Sequence, residues 1–206
     1  MAARNLPVPE AVTRNITIGV NFATSPQGIV VEYGDTVNFT NSSGSDVTVA
    51  FLPNTPGLAI YPNMNLLVPN GTTTGFTAPI VDSAANYNIL VNGVVQNTDP
   101  YVIQVGSGPM YVLITGPATS PNFNPGTVAV PLGNVASAQM GKLEMKSQVA
   151  GVGFPIYWTN DPFNPGITQS GPPQPVKSAA APGGYDYSSS ASPDLRSGGG
   201  KVIIQS

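Results

Sequence analysis

No apolar segment of this chain runs far before a turn residue cuts it. With 23 Gly and 22 Pro among 206 residues, turn signals recur about every 8–12 positions, the spacing of an all-β sandwich. The segments between them alternate apolar and polar residues with period two. Thr36–Asn41 reads Thr-Val-Asn-Phe-Thr-Asn and Asp46–Phe51 reads Asp-Val-Thr-Val-Ala-Phe; Asn15–Ala23 alternates likewise, Ile29–Tyr33 more loosely, and Tyr87–Val91 and Tyr101–Val105 read as further strands. A helix needs an apolar stripe at 3.6-residue spacing. None occurs before residue 130, and only Val135–Met140 suggests a short helical turn. Same-parity residues of a strand share a face, so Val37, Phe39, Val47, Val49, Phe51, Ile89 and Val105 are expected inside.

Side-chain chemistry narrows the function. There is no Cys and no His. That excludes a disulfide, a thiolate nucleophile, a Ser-His-Asp triad and a zinc or blue-copper site of ordinary ligands. Neither metal nor cofactor is expected. Seven basic residues and a net charge of −3 speak against nucleic acid as a partner. No apolar run approaches the ~18 residues of a membrane span. The first ten residues lack the apolar core of a signal peptide, so the protein is expected either inside the cell or with its leader removed. Composition favours an extracellular, cell-surface or virion setting. From Asn15 to Gly141 there is no Lys or Arg, and the acids are Glu32, Asp35, Asp46, Asp82 and Asp99. A surface of Asn, Thr, Ser and Gly in place of mixed charge suits assembled particles and adhesive modules; compositional bias of the genome is the plainer account.

Residues 15–106 resemble a cupredoxin, the plastocyanin and azurin type of sandwich. The resemblance rests on Gly28-Ile-Val-Val-Glu-Tyr-Gly-Asp-Thr-Val-Asn-Phe-Thr-Asn41, then Asp46–Phe51, Phe76-Thr-Ala-Pro79 and Tyr87–Val91. It implies a Greek-key sandwich; immunoglobulin-like modules share parts of the pattern. The ligand positions of that family fall at Asp46 or Val47, near Val91, and in the loop Asn92–Tyr101. None holds imidazole, thiolate or thioether, so no copper ligand carries over.

The remaining polar residues suggest structure before chemistry. Asp35 follows Gly34 in a turn and is expected to hydrogen-bond the turn backbone. Asp46, Asp82 and Asp99 lie in separate loops, without the spacing of a calcium loop. Asn15, Asn38, Asn41 and Asn70 head glycosylation sequons, which matter only in a eukaryotic secreted protein. Lys142–Lys146 alternates as an edge strand would.

The chain divides into an N-terminal arm at 1–13, the sandwich at 14–116, a β-hairpin extension or small second sheet at 117–167, and a Gly/Pro/Ser/Ala-rich tail at 168–206. In the extension, Thr127–Val130 and Lys142–Val149 are candidates to pair, with Gly153–Trp158 as a third strand. Phe123-Asn-Pro-Gly126 recurs as Phe163-Asn-Pro-Gly166, a weak repeat. Tyr157, Trp158 and Phe163 cluster as a core or as a glycan- or partner-binding face. The tail reads as a flexible linker ending in a β-prone hexamer. In it, Val202, Ile203 and Ile204 are expected to add to a sheet edge, most plausibly a neighbouring subunit's. These features point to a non-enzymatic structural or interaction module in an assembly such as a virion, filament or surface layer. Its expected partner is itself or another protein. The alternative is a soluble or secreted module binding a glycan or small ligand through the aromatics near Trp158.

Overall fold

The structure is a computed structural model that describes residues 10–53, 61, 63–117, 120–134, 139–149, 153–189 and 199–206. Among these every regular element is a strand. The first ten are β1 (Thr13–Ile18), β2 (Thr24–Ser25), β3 (Gly28–Val31), β4 (Thr36–Asn41), β5 (Val47–Pro53), β6 (Asn65–Val68), β7 (Thr73–Thr77), β8 (Ser83–Val91), β9 (Val94–Val95) and β10 (Tyr101–Val105). They form two sheets, ordered β2-β1-β4-β7 and β3-β10-β8-β5-β6, with β9 paired to β8. Their inner faces enclose Ile16, Val37, Phe39, Val49, Phe51, Tyr87, Ile89 and Ile103. All seven core residues expected from alternation are no more than 2% exposed. Phe39 and Tyr87 meet edge to face at 5.4 Å between ring centres, a favoured aromatic geometry. Asn92 and Gly93 join β8 to β9 with φ of 50° and 81°, the paired positive angles that a two-residue hairpin demands.

The rest of the chain builds a second sandwich. It contains β11 (Met110–Thr115), β12 (Asn122–Asn124), β13 (Thr127–Pro131), β14 (Gly133–Asn134), β15 (Gln139–Met140), β16 (Lys142–Ser147), β17 (Tyr157–Trp158), β18 (Gln174–Pro175), β19 (Gly183–Ser188) and β20 (Gly199–Gln205). Its sheets run β12-β11-β16-β18 and β13-β20-β19-β17, with β14 and β15 paired apart. This order repeats that of the first sandwich, except that β6 and β9 have no counterpart among the described residues. In both, the first strand runs parallel to the third of its sheet and antiparallel to the short strand after it. Gly28 pairs in parallel with Val102, and Thr127 with Lys201. A cis-proline follows β2 at Ser25-Pro26, and another stands at the equivalent point, Asn124-Pro125. The architecture is therefore a tandem of two Greek-key sandwiches of one topology.

Several sequence-based expectations are corrected by the structure. Residues 111–114 belong to the second sandwich, because Met110, Val112 and Ile114 bury their side chains there. Thr127–Val130 and Lys142–Val149 do not pair with each other; they lie in facing sheets. Of Gly153–Trp158 only Tyr157–Trp158 is a strand, and Lys142–Ser147 is flanked by β11 and β18 instead of standing at an edge. The tail is structured: Gly183–Ser188 is a six-residue strand whose Tyr187 is fully buried, where Gly and Ser had suggested a linker. The expected helical turn at Val135–Met140 falls partly outside the described residues; Gln139–Met140 is strand.

The two sandwiches are packed together. Every residue of β10 is buried, as is Ser83–Tyr87 of β8, because these strands are covered on both sides. Tyr87, Tyr101 and Ile103 face the first core, whereas Ala84 and Val102 join the core of the second sandwich with Ala129 and Ile203. The Asn86 amide completes the contact. Its Nδ2 donates to the Ala129 carbonyl at 3.1 Å and its Oδ1 accepts from the Ala129 N–H at 3.2 Å. The backbone N–H of Gln27 donates to Ser206 at 2.7 Å, and Gln205 Nε2 donates to Pro100 at 3.0 Å. Gly28 sits in this seam; a Cβ there would lie 2.8 Å from the Gln205 Cβ.

Phe39→Ala is expected to cost about 3–5 kcal/mol in urea unfolding. Removing residues 199–206 takes the central strand from its sheet. Amides of β13 and β19 are then expected to lose hydrogen-exchange protection before those of β4 and β5.

Candidate functional site

The end of the first sandwich where the cupredoxin resemblance would place copper is closed by hydrocarbon. Val47 and Val68 are paired and buried, and Val91 packs on the same core. Asn41 caps this end: its Nδ2 donates to the carbonyls of Ser45 and Val68, both at 2.8 Å, and its Oδ1 accepts from Ser43 N–H at 3.0 Å. Both N–H donors of this amide are taken, and its fully buried side chain leaves the Asn41 sequon unreachable in the fold. The donor set does not fit a blue-copper centre, which requires soft sulfur and imidazole nitrogen. The equivalent loop of the second sandwich, 190–198, lies outside the described residues.

The acids serve the scaffold. Asp35 accepts from the Val12 N–H at 2.8 Å, the Glu32 N–H at 3.1 Å and Arg14 Nε at 3.2 Å, so it ties its own turn to β1. Burial alone would raise its pKa. The two amides and the guanidinium outweigh that, and the carboxyl sits below its ordinary range. Asp46 accepts from Asn70 N–H at 2.8 Å. Asp82 accepts from Ser107 N–H at 2.7 Å and from the Tyr33 hydroxyl, which raises the Tyr33 pKa, with slight burial adding to it. Among the described residues no group of three or more acids could hold a metal ion together.

The aromatic cluster is built into the second sandwich. Trp158 lies 5.5 Å from Phe163 and 5.2 Å from Tyr187 between ring centres, and its indole N–H donates inward to the Ile167 carbonyl at 2.6 Å. Phe163 is fully buried, and Tyr157 is 41% exposed. The turn after Phe163 wraps Asp161, whose Oδ2 stands 2.5 Å from where a Gly166 Cβ would be; any side chain at that position would have to displace the carboxylate. Val202, Ile203 and Ile204 are buried in the middle of their own sheet, paired on one side with β13 and on the other with β19. Pairing within the chain replaces the expected addition to a neighbouring subunit, since both edges of this strand are occupied.

Three accessible features remain. One is a cleft of about 420 Å³ at the seam, between Asn97, Asp99 and Tyr101 of the first sandwich and Gly183, Ile203 and Gln205 of the second. Asn97 is committed within the fold, accepting from Ile89 N–H and donating to Asn88. A second seam cleft of about 400 Å³ holds Glu32, Tyr33 and Lys142, and Gln139 bridges it to Glu32. The third is the outer face of the sheet formed by β5, β6, β8 and β9. Among the described residues the second sandwich covers only the β3-β10 side of that sheet. On the bare side Leu67 pairs with Thr48, Thr48 with Leu90, and Leu90 with Val95, giving one cross-strand row. Leu67, Val95 and Leu52 are 59%, 49% and 48% exposed. Sequence reasoning missed this face because it sought isolated motifs, whereas the signal lies in the polar-side positions of four strands being filled by Leu and Val.

No protein-family model and no curated protein matches this chain. Among solved structures it is similar to a purple cupredoxin from Nitrosopumilus maritimus, at 14% identity over 45% of this chain and 98% of that one, with a TM-score of 0.34. It is also similar to a blue copper oxidase from Nitrosomonas europaea, at 13% identity over 95% and 86% of the two chains, TM-score 0.38. A copper nitrite reductase from Nitrosomonas europaea matches at 11% identity over 95% and 94%, TM-score 0.35. By its own strand order the fold is a β-sandwich of cupredoxin-like type, and the chain has neither Cys nor His to ligate copper.

Two outcomes follow from this geometry. Calorimetry with Cu(II) or Zn(II) at neutral pH is expected to show no tight one-to-one complex; a complex with nitrogen or sulfur ligation in its spectrum contradicts the reading. A carboxylate held low in the fold stabilises it above the unfolded pKa and loses that contribution as pH falls through the folded pKa. Asp35→Asn is therefore expected to cost about 1–3 kcal/mol at neutral pH, with the gap to the wild type closing below about pH 4.

Proposed function

We propose that this protein is a non-enzymatic, metal-free structural or interaction module that works in an assembly. The observation that carries the reading is the bare half of the outer sheet face, where Leu52, Leu67 and Val95 stand in solvent without a charged side chain on the strands that form it. Two further features support it. The position of the copper site is filled by packed valines, and the two sandwiches are joined through buried side chains as well as hydrogen bonds, which makes a stiff building block. A virion, filament or surface layer would use such a block for its shape. Light scattering of the purified chain over a concentration series reaching about 1 mM is the test. Oligomers or larger particles are expected; a monomer at every concentration, with no protein partner bound, overturns the proposal.

A second reading draws on the seam cleft, whose volume lies within the range of small-molecule sites, ~300–1,000 Å³. In it the protein binds a small hydrogen-bonding ligand such as a sugar. Calorimetric titration with a sugar panel, repeated on Asp99→Ala, separates this reading from the first.

A further inference from the structure

We infer that the bare half of the outer face of the first sandwich is the docking surface for a second copy of this chain, the two copies meeting face to face. The inference rests on the assembly reading and gives it a surface, a partner and a symmetry.

The first argument is continuity with an interface already in the molecule. The sheet β3-β10-β8-β5-β6 presents one outer face. Over β3, β10 and the start of β8 that face is covered by β13 and β20. Those strands are the topological equivalents of β3 and β10, so the chain already packs one such sheet against its own counterpart, outer face to outer face. The bare half begins where this contact stops. Leu52, 48% exposed, pairs with Asn86, whose amide makes the double hydrogen bond to Ala129. From Leu52 the face continues through Ala50 to the row Leu67-Thr48-Leu90-Val95.

The second argument is charge. The outward positions here are Thr48, Ala50, Leu52, Asn65, Leu67, Asn88, Leu90 and Val95, with neither acid nor base among them. A self-complementary contact places each residue against the same surface. Any charge would then risk meeting its own like, and a neutral face avoids that cost. A strongly charged partner would instead bury its charges unpaired. A face of Leu, Val, Ala, Thr and Asn therefore matches itself better than a basic or acidic surface.

The size sets the strength. About 18 residues on four strands, at ~3.4 Å per residue and ~4.8 Å between strands, give a face on the order of 300 Å² per copy. This is less than half the ~800 Å² of a standard interface. The contact is thus weak in dilute solution and becomes effective where copies are held at high local concentration.

Sedimentation velocity on the full chain, from about 10 µM to about 1 mM, tests this. Reversible dimerisation is expected towards the upper end. It should persist in 1 M NaCl, because no ion pair is involved, and strengthen with sulfate. The double variant Leu67→Asp/Val95→Asp should weaken dimerisation at least tenfold. Val20→Asp, at an exposed position in the β1–β2 turn of the opposite sheet, should not. Thermal melts verify that each variant is folded. If the Asp pair disturbs folding, Leu67→Ser/Val95→Thr replaces it, with an expected loss of about threefold. Dimerisation unchanged in the folded double variant overturns this docking surface and leaves the assembly reading standing. Dimerisation abolished by salt also overturns it. A wild-type chain that stays monomeric up to 1 mM removes the docking surface, and the assembly reading then depends on a different protein partner.

Discussion

The Asn86 carboxamide is the hinge pin of the architecture. Its two polar ends satisfy the N–H and the C=O of Ala129, so a side chain does what a neighbouring strand would otherwise do. A buried backbone pair left without partners would cost several kcal/mol. The outer sheet faces can therefore close on each other only if something answers Ala129. Because Asn86 does, Ala84 and Val102 can join the hydrocarbon interior of the second sandwich. Gln205 and Gln104 each contribute one amide end, to the carbonyl of Pro100 and the N–H of Lys142, while the Gln104 Nε2 is left buried without a partner. Neutral amides suit this seam: each supplies a donor and an acceptor without the desolvation cost of a buried ion.

This seam also shows how far the sequence was legible. Alternation in Thr36–Asn41 and Val47–Pro53 identified the first core, because each of those strands has one wet face. In Tyr101–Val105 the pattern says less, since both faces are dry and an even residue such as Val102 packs as deeply as an odd one. The outline of the second sandwich was hidden for a different reason. Its strands at β17 and β18 are two residues long, too short to show a period. The Gly and Ser of β19 resemble a linker until Tyr187 is seen packed against Phe123 at 5.1 Å. The repeated Phe-Asn-Pro-Gly does not mark equivalent places: Phe123 is the middle residue of β12, whereas Phe163 packs beside Trp158 in a long connection.

The candidate surface was legible only in part. The absence of imidazole and thiolate was plain in the sequence, and the closure of the copper end by Val47, Val68 and Val91 agrees with it. Tyr157, Trp158 and Phe163 drew attention as large aromatics, yet the indole N–H turns inward to Ile167. Leu67, Leu90 and Val95 are unremarkable one at a time. Their significance is a matter of register, which places them side by side across four strands separated by up to 47 positions in the chain.

The parallel pairings carry a consequence for how the chain reaches this state. In each sandwich the strand that opens one sheet finds its parallel partner only in the last strand of that sandwich, as with Gly28 and Val102 or Thr127 and Lys201. Contacts so distant in sequence form slowly, because loop closure comes before its reward. Until β20 arrives, β13 and β19 have no bond between them, Val128 and Val130 lie along unpaired backbone, and β19 is held only by the two-residue β17. Such an open sheet is a template for stray strands. The first sandwich needs nothing from the second to close its own sheets, and once closed it offers the nascent half a finished wall, Ala84 and Val102, on which to assemble.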